Sequence, residues 1–343
     1  MKKYYVLVVL FCPLLLLAQH PANDANWKNV LDEEFDGNRS WNDSRIDNTG
    51  TLRAYFSECG VTHGATEHQV YTRENTQFNN GTMVLKAEYA PGTNNYWNVN
   101  WIKERNTYNY KSGAIEFVEK YKYGYFEIRC KLPKPSFGNF PAFWLWSNEG
   151  GRYNEIDVFE QTVWNDYRKQ GVSGTYYDGK GQEHKMFRDT LECDDTYYSS
   201  SYHTFAINWS PGKIVWYIDG VQKGVSDNSE YVPRDPMLLK ANYAIDNWIS
   251  NTQNKNFPMG MVIDYIRVYQ LKCEHNKAVT LTTNSQVNGY SPSVKKCIKV
   301  SGNPIKVNKN LHLMATDYVE INGDFEVPLG VEFCAETVGC TCP

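Results

Sequence analysis

The stretch Asn154-Glu155-Ile156-Asp157-Val158-Phe159-Glu160-Gln161 decides how the rest of the chain is read. It sets three carboxylates, Glu155, Asp157 and Glu160, among Ile156, Val158 and Phe159, residue types that favour strands. Side chains along a strand alternate between its two faces, so Glu155 and Asp157 share one. Glu160 lies an odd number of positions from both, and in a regular strand it faces the other way. One extra residue near Phe159, a β-bulge, would return it to the face of its neighbours. Three carboxylates on one face repel one another, so the arrangement destabilises the strand unless it serves a purpose.

Hydrolysis of a glycosidic bond is such a purpose. A retaining mechanism needs two carboxyl groups, one to attack and one to donate and then recover a proton. A third carboxyl between them separates their pKa values and so their roles. The alternative is a polar strand face satisfied by arginines, and three carboxylates this close among aromatic residues argue against it.

At this point the sequence resembles a family. Glu155-Ile156-Asp157-Val158-Phe159-Glu160 is similar to the E-x-D-x-x-E signature of glycoside hydrolase family 16, which includes laminarinases, lichenases, agarases, porphyranases and carrageenases. The likeness continues, in order, through residues 67–75, 80–87, 112–117, 123–133, 140–146, 203–209, 216–220 and 263–269, and covers roughly 27–270. It implies an all-β fold, a concanavalin A-like β-jelly-roll sandwich with a concave substrate cleft. It implies Glu155 as nucleophile, Glu160 as acid/base and Asp157 as the residue that tunes Glu155. It requires no cofactor for catalysis. It also implies a structural calcium ion on the convex side, with Glu34 and Asp264 among its oxygen ligands; calcium takes several more oxygens, many from the backbone.

The expected substrate is a β-1,3- or mixed-linkage glucan, cut internally. An algal galactan (agar, porphyran or carrageenan) is the second candidate, and sulfated forms would need basic residues such as Arg73, Lys103, Arg105 or Arg168. A silent glycan-binding protein on the same fold has no need of all three carboxylates, and transglycosylation shares the same intermediate. Two features depart from many laminarinases: Phe140 stands where they carry Trp, and Asn154 where they often carry Gly. Both bear on substrate rather than on catalysis.

Tyrosine (25) and tryptophan (10) lift the aromatic content to 15%, which suits both a sugar cleft and a sandwich core. Trp144 and Trp146 share a strand face with Ala142, while Pro141, Phe143 and Leu145 take the other. If that face lines the cleft, the two rings are platforms for sugars. Trp164 and Trp248 are further candidates for the cleft wall, as are Trp97 and Trp101 in Asn-rich stretches, and Arg73 and Asn242 are candidates to hydrogen-bond hydroxyls. His203 is expected to be structural, and His63 and His68 have no metal-ligand spacing.

Strand segments separated by Gly, Pro and Asp-Gly turns run through the chain, and no ordinary amphipathic helix stands out. Residues 1–18 read as a secretory signal, with Lys2 and Lys3 before an apolar run from Val6 to Leu17. Residues 19–272 form the expected catalytic domain. Residues 273–343 form a small Cys-containing β-rich module; Trp is absent beyond 270, and five cysteines fall at or after 273. That points to a disulfide-stapled tail in an oxidising compartment. Cys130 alternates with Phe126, Ile128 and Leu132 and is expected as a buried free thiol. Net charge −4 and pI about 6.0 imply no nucleic-acid surface. The expected protein is a secreted monomer with no membrane span, whose partner is its polysaccharide.

Overall fold

The computed structural model describes residues 20–42, 46–54, 67–94, 107–136, 138–163, 169–192, 196–228, 230–246 and 256–337. The expected signal at 1–18 and Trp97, Trp101, Lys103, Arg105, Trp164, Arg168 and Trp248 lie outside the described residues. Among the described residues no helix is long and apolar enough to cross a membrane.

Among the described residues the protein is a sandwich of a seven-stranded and a ten-stranded sheet. The seven-stranded sheet consists of β1 (Leu52–Ala54), β2 (Ala114–Tyr121), β3 (Asn139–Ser147), β4 (Asn154–Val163), β5 (Lys169–Tyr177), β6 (Glu183–Glu192) and β7 (Met237–Ile245), in the spatial order β6-β5-β4-β3-β7-β2-β1. All its pairings are antiparallel. Period-two alternation explains which side chains fill the interior: Phe143 and Leu145 from β3, Ile156 from β4, Val172 and Tyr176 from β5, and Leu239, Ala241 and Tyr243 from β7. From the ten-stranded sheet come Phe126, Ile128 and Cys130 of the strand Gly124–Lys131, with Trp209 and Trp216 of a later hairpin. Cys130 is fully buried and unbridged, as its alternation requires. The next hairpin, from Lys213–Ile218 to Val221–Ser226, turns at Asp219-Gly220, both at positive φ (50° and 74°), the conformation that suits a tight two-residue connection and that Gly adopts freely.

Beyond Leu271 the architecture changes. Strands Cys273–Leu281, Val294–Ser301, Leu311–Asn322 and Phe333–Thr337 stack in parallel rather than as hairpins. Val294 lies opposite Met314 and Ile305 opposite Phe325, each partner 20 residues further along the chain, so the backbone coils once between paired strands. Ile298, Val300, Ile305, Val307 and Leu313 fill this coil's own small core. Val294 and Met314 join the main core, and the Tyr123 hydroxyl donates to Glu336 Oε2 at 3.3 Å. Of the tail cysteines, Cys273 is disulfide-bonded and Cys297 and Cys334 are free, while Cys340 and Cys342 lie outside the described residues.

Candidate active site

The outward face of the seven-stranded sheet is set by the irregularity in β4. Against β3, Glu155 lies opposite Trp146 and Asp157 opposite Trp144; the register then slips, so that Phe159 lies opposite Phe143 and Glu160 opposite Ala142. Against β5 the partners are Tyr177, Thr175 and Ser173 for Glu155, Asp157 and Glu160. Both sets of partners alternate regularly, so all three carboxylates share one face. The extra residue is Val158. It and Phe159 both enter the core, at 2% and 0% exposure, and burial of two consecutive apolar side chains holds the bulge in place. From the other sheet, Trp216 Nε1 donates to the Asp157 carbonyl at 2.8 Å. Trp216 has room there because Gly174 lacks a side chain: a Cβ would fall 2.3 Å from Phe187 and 2.6 Å from Trp216.

Burial controls the charge of the cluster. Glu155 is pushed up to about 7 by desolvation, against which the Tyr153 hydroxyl acts by donating to Oε2 at 2.6 Å. Glu160 is pushed up to about 8, first by desolvation and then by the fields of Glu155 and Glu183; Lys185 and Arg188 oppose the shift. Asp157, 2% exposed, is driven well above the carboxylate range by burial and by its two neighbours. At neutral pH Glu160 is mostly protonated and Glu155 is the readier of the two to ionise, while burial disfavours the charged form of Asp157.

Residues 64–267 match the sequence profile of Glycosyl hydrolases family 16. The chain belongs to that family. Family 16 enzymes are retaining glycoside hydrolases that use no catalytic cofactor. The family 16 chain is similar to the laminarinase catalytic domain of Thermotoga maritima, with 28% identity and a TM-score of 0.54 over 71% of this chain and 98% of that one. It is 29% identical to the endo-1,3-1,4-β-glycanase ExsH of Rhizobium meliloti over 57% of this chain, and it spans only 40% of that protein's length. It is 26% identical to the κ-carrageenase of Pseudoalteromonas carrageenovora, over 61% of this chain and 59% of that protein.

In this family 16 protein the outward face also carries both tryptophans of β3. Trp146 is half-buried. Trp144, only 5% exposed, packs with Tyr71, Ala114 and Ala142, so it forms floor rather than an open platform. Asn242, expected to bond sugar hydroxyls, is engaged at both ends of its amide. It accepts from Trp144 Nε1 at 2.8 Å and donates to the Tyr71 hydroxyl at 2.9 Å, so its observed work is to hold Trp144. Arg73 lies apart from the carboxylates, in a groove with Trp41 and Phe78.

The calcium expectation does not fit the residues present. Glu34 accepts two hydrogen bonds from Arg267, and Asp264 is ion-paired with Arg129. Each guanidinium holds one oxygen of its carboxylate, and among the described residues no three His, Cys, Asp or Glu converge as a metal site.

Several residues escaped the sequence reading. Tyr153 continues the period of 155 and 157 backwards and was legible on that ground. Tyr177 donates to Glu183 Oε1 at 3.2 Å, and both lie in the cross-strand row of Glu155; only register brings them there. Lys240 is the one charged residue of the strand Met237–Ile245. It is fully buried, 3.4 Å from Glu116, with Nζ 4.6 Å and 4.9 Å from the ring centroids of Trp146 and Trp144. Glu116 also takes Arg53 at 2.7 Å. His203 bonds Asp219, Ser201 and the Tyr197 carbonyl, the structural role expected of it.

Proposed function

We propose that the protein is a secreted endo-β-glycosidase that cuts a β-1,3- or mixed-linkage glucan with retention of configuration. Residues 1–18 would export it, 19–272 would carry the chemistry and 273–343 would form an appended unit. The observation that supports the reading most strongly is the Val158 bulge, which puts Glu155, Asp157 and Glu160 on one face.

Glu155, ionised, attacks the anomeric carbon while the bond to the leaving sugar breaks. Glu160 passes its proton to the departing oxygen. Glu160, now a carboxylate, takes a proton from water, which attacks the same carbon and frees Glu155. Asp157, whose charged form burial disfavours, adds no second negative charge beside the nucleophile. Trp146, opposite Glu155, offers an aromatic surface to the sugar that reacts.

A galactan bearing anionic groups is the second reading. It is favoured by Lys185 and Arg188, which act electrostatically on Glu160, and by the similarity to a κ-carrageenase. Release of reducing ends from laminarin, lichenan, agarose, porphyran and carrageenans discriminates the two. Glu155→Gln is expected to abolish turnover and leave folding and oligosaccharide binding intact. Turnover at the parent rate would remove Glu155 from the mechanism.

A further inference from the structure

A second recess lies beyond the tryptophan floor. It is lined by Arg39, Ser40, Trp41, Arg73, Glu74, Thr76, Gln77, Phe78 and Asn79 and has a volume of about 660 Å³, within the roughly 300–1,000 Å³ typical of ligand pockets. Trp41 and Phe78 form its apolar wall, with ring centroids 4.9 Å apart and planes tilted by 32°. Trp41 Nε1 donates to the Thr76 carbonyl at 2.7 Å, and the Arg39 guanidinium lies 5.2 Å from the Phe78 ring centroid. Both contacts make this wall rigid. The rim is polar: Arg73 and Glu74 have side chains 40% and 73% exposed, and Gln77 and Asn79 are partly or largely open.

One short segment joins this recess to the outward face. Tyr71 packs with Trp144 and Asn242 on the floor, and Arg73 to Asn79 follow directly into the recess. The two sites lie in one cross-sheet row. Glu160 is opposite Ala142, Ala142 opposite Asn242, and Asn242 opposite Ala114, whose N–H donates to Thr76 Oγ1 at 3.2 Å. Three strand steps of roughly 4.8 Å and this last contact span on the order of 15–20 Å, a distance covered by a few sugar residues.

We propose that this recess is an auxiliary glycan site that holds a remote part of the polysaccharide chain cut at Glu155 and Glu160. The occupant is a neutral pyranose segment. Its apolar ring face meets Trp41, and its hydroxyls meet a mixed set of donors and acceptors in Arg73, Glu74, Gln77 and Asn79. Arg39 is taken by Glu33 and Asp47 and Arg73 lies 3.9 Å from Glu74, so the recess has little to offer a polyanion. A purely apolar ligand would leave the exposed Glu74, Gln77 and Asn79 unused. The inference rests on the polysaccharide-cutting reading above.

The test uses the full chain silenced by Glu155→Gln, run in native gels containing laminarin or lichenan, with laminaritriose as the short probe in titrations. Adding Trp41→Ala or Gln77→Ala is expected to weaken retention by the polymer about tenfold and to lower the ratio of polymer to trisaccharide affinity. Gln77 is exposed, so its variant tests the site even if Trp41→Ala fails to fold. Retention unchanged in the folded variants overturns the inference and leaves the proposed function standing. A silenced parent retained by neither polymer overturns both.

Discussion

Tyr153→Phe tests the division of labour between the two glutamates. The substitution removes one hydroxyl and keeps the ring, with its edge contacts to Trp146 at 6.3 Å and Tyr177 at 5.7 Å, so the fold is expected to survive. The hydroxyl lost is the donor to Glu155 Oε2 at 2.6 Å. A hydrogen bond to a charged group contributes about 1.5–3 kcal/mol, and 1.36 kcal/mol corresponds to about one pH unit. The donor favours the ionised form, so its removal raises Glu155 from about 7 by roughly one to two pH units. Glu160 stands at about 8. Glu155 then meets or passes Glu160, and the productive state, with Glu155 ionised and Glu160 protonated, loses its advantage of about tenfold. In a profile of kcat/KM against pH, the acid limb is expected to move up by about one pH unit, and the maximum to fall by about 2- to 10-fold. The assay is reducing-end release across about pH 5 to 10. An acid limb that stays in place, with a maximum close to that of the parent, would refute the assignment of Glu155 as the group that must ionise.

Three further predictions concern the cluster, the bulge and the tail. Glu160→Gln is expected to raise stability while abolishing turnover. Folding raises this carboxyl from 4.5 to about 8, so the native state binds a proton that the unfolded chain has released between those values. That stability is present below about 4.5 and is lost as pH rises through 8; the glutamine variant, which does not ionise, should gain a stability advantage that widens from acid to alkaline pH to a few kcal/mol and shows as a growing difference in melting temperature. A gap that narrows with pH, followed by scanning calorimetry, would contradict the buried-acid account. Gly174→Ala has no room for its methyl group between Phe187 and Trp216; overpacking of about 1–3 kcal/mol should lower the melting temperature, and displacement of Trp216 from the Asp157 carbonyl should lower kcat, whereas a variant that melts and turns over like the parent would show that Trp216 does not hold the bulge. Deletion of 276–343 is expected to leave activity on soluble substrate but lower the melting temperature, because Val294 and Met314 leave the main core; loss of all activity in a folded deletion variant would mean that the tail builds part of the site.

The carboxylate motif, the strand-rich architecture, the face shared by Trp144 and Trp146 and the buried thiol of Cys130 were legible in the sequence, because each follows from residue type and a period of two along one strand. The need for a bulge was legible too, since three acids at that spacing share a face only if one residue is extra. That Val158 is the extra residue was decided by the tertiary structure, through two successive apolar side chains drawn into one core and a tryptophan from the opposite sheet fixed beneath them. Whatever depends on register between distant segments was beyond the sequence. Asn242 bonds Trp144 and also Tyr71, which comes from the other sheet. Tyr177 and Glu183 entered the row of Glu155, and arginines each took one oxygen of Glu34 and Asp264. The coil after Leu271 pairs residues twenty apart, with no strong repeat in the sequence to announce it. Local pattern records which way a side chain points, but only the packed chain sets what it meets there, because the neighbours come from other strands, from about twenty to more than two hundred residues away.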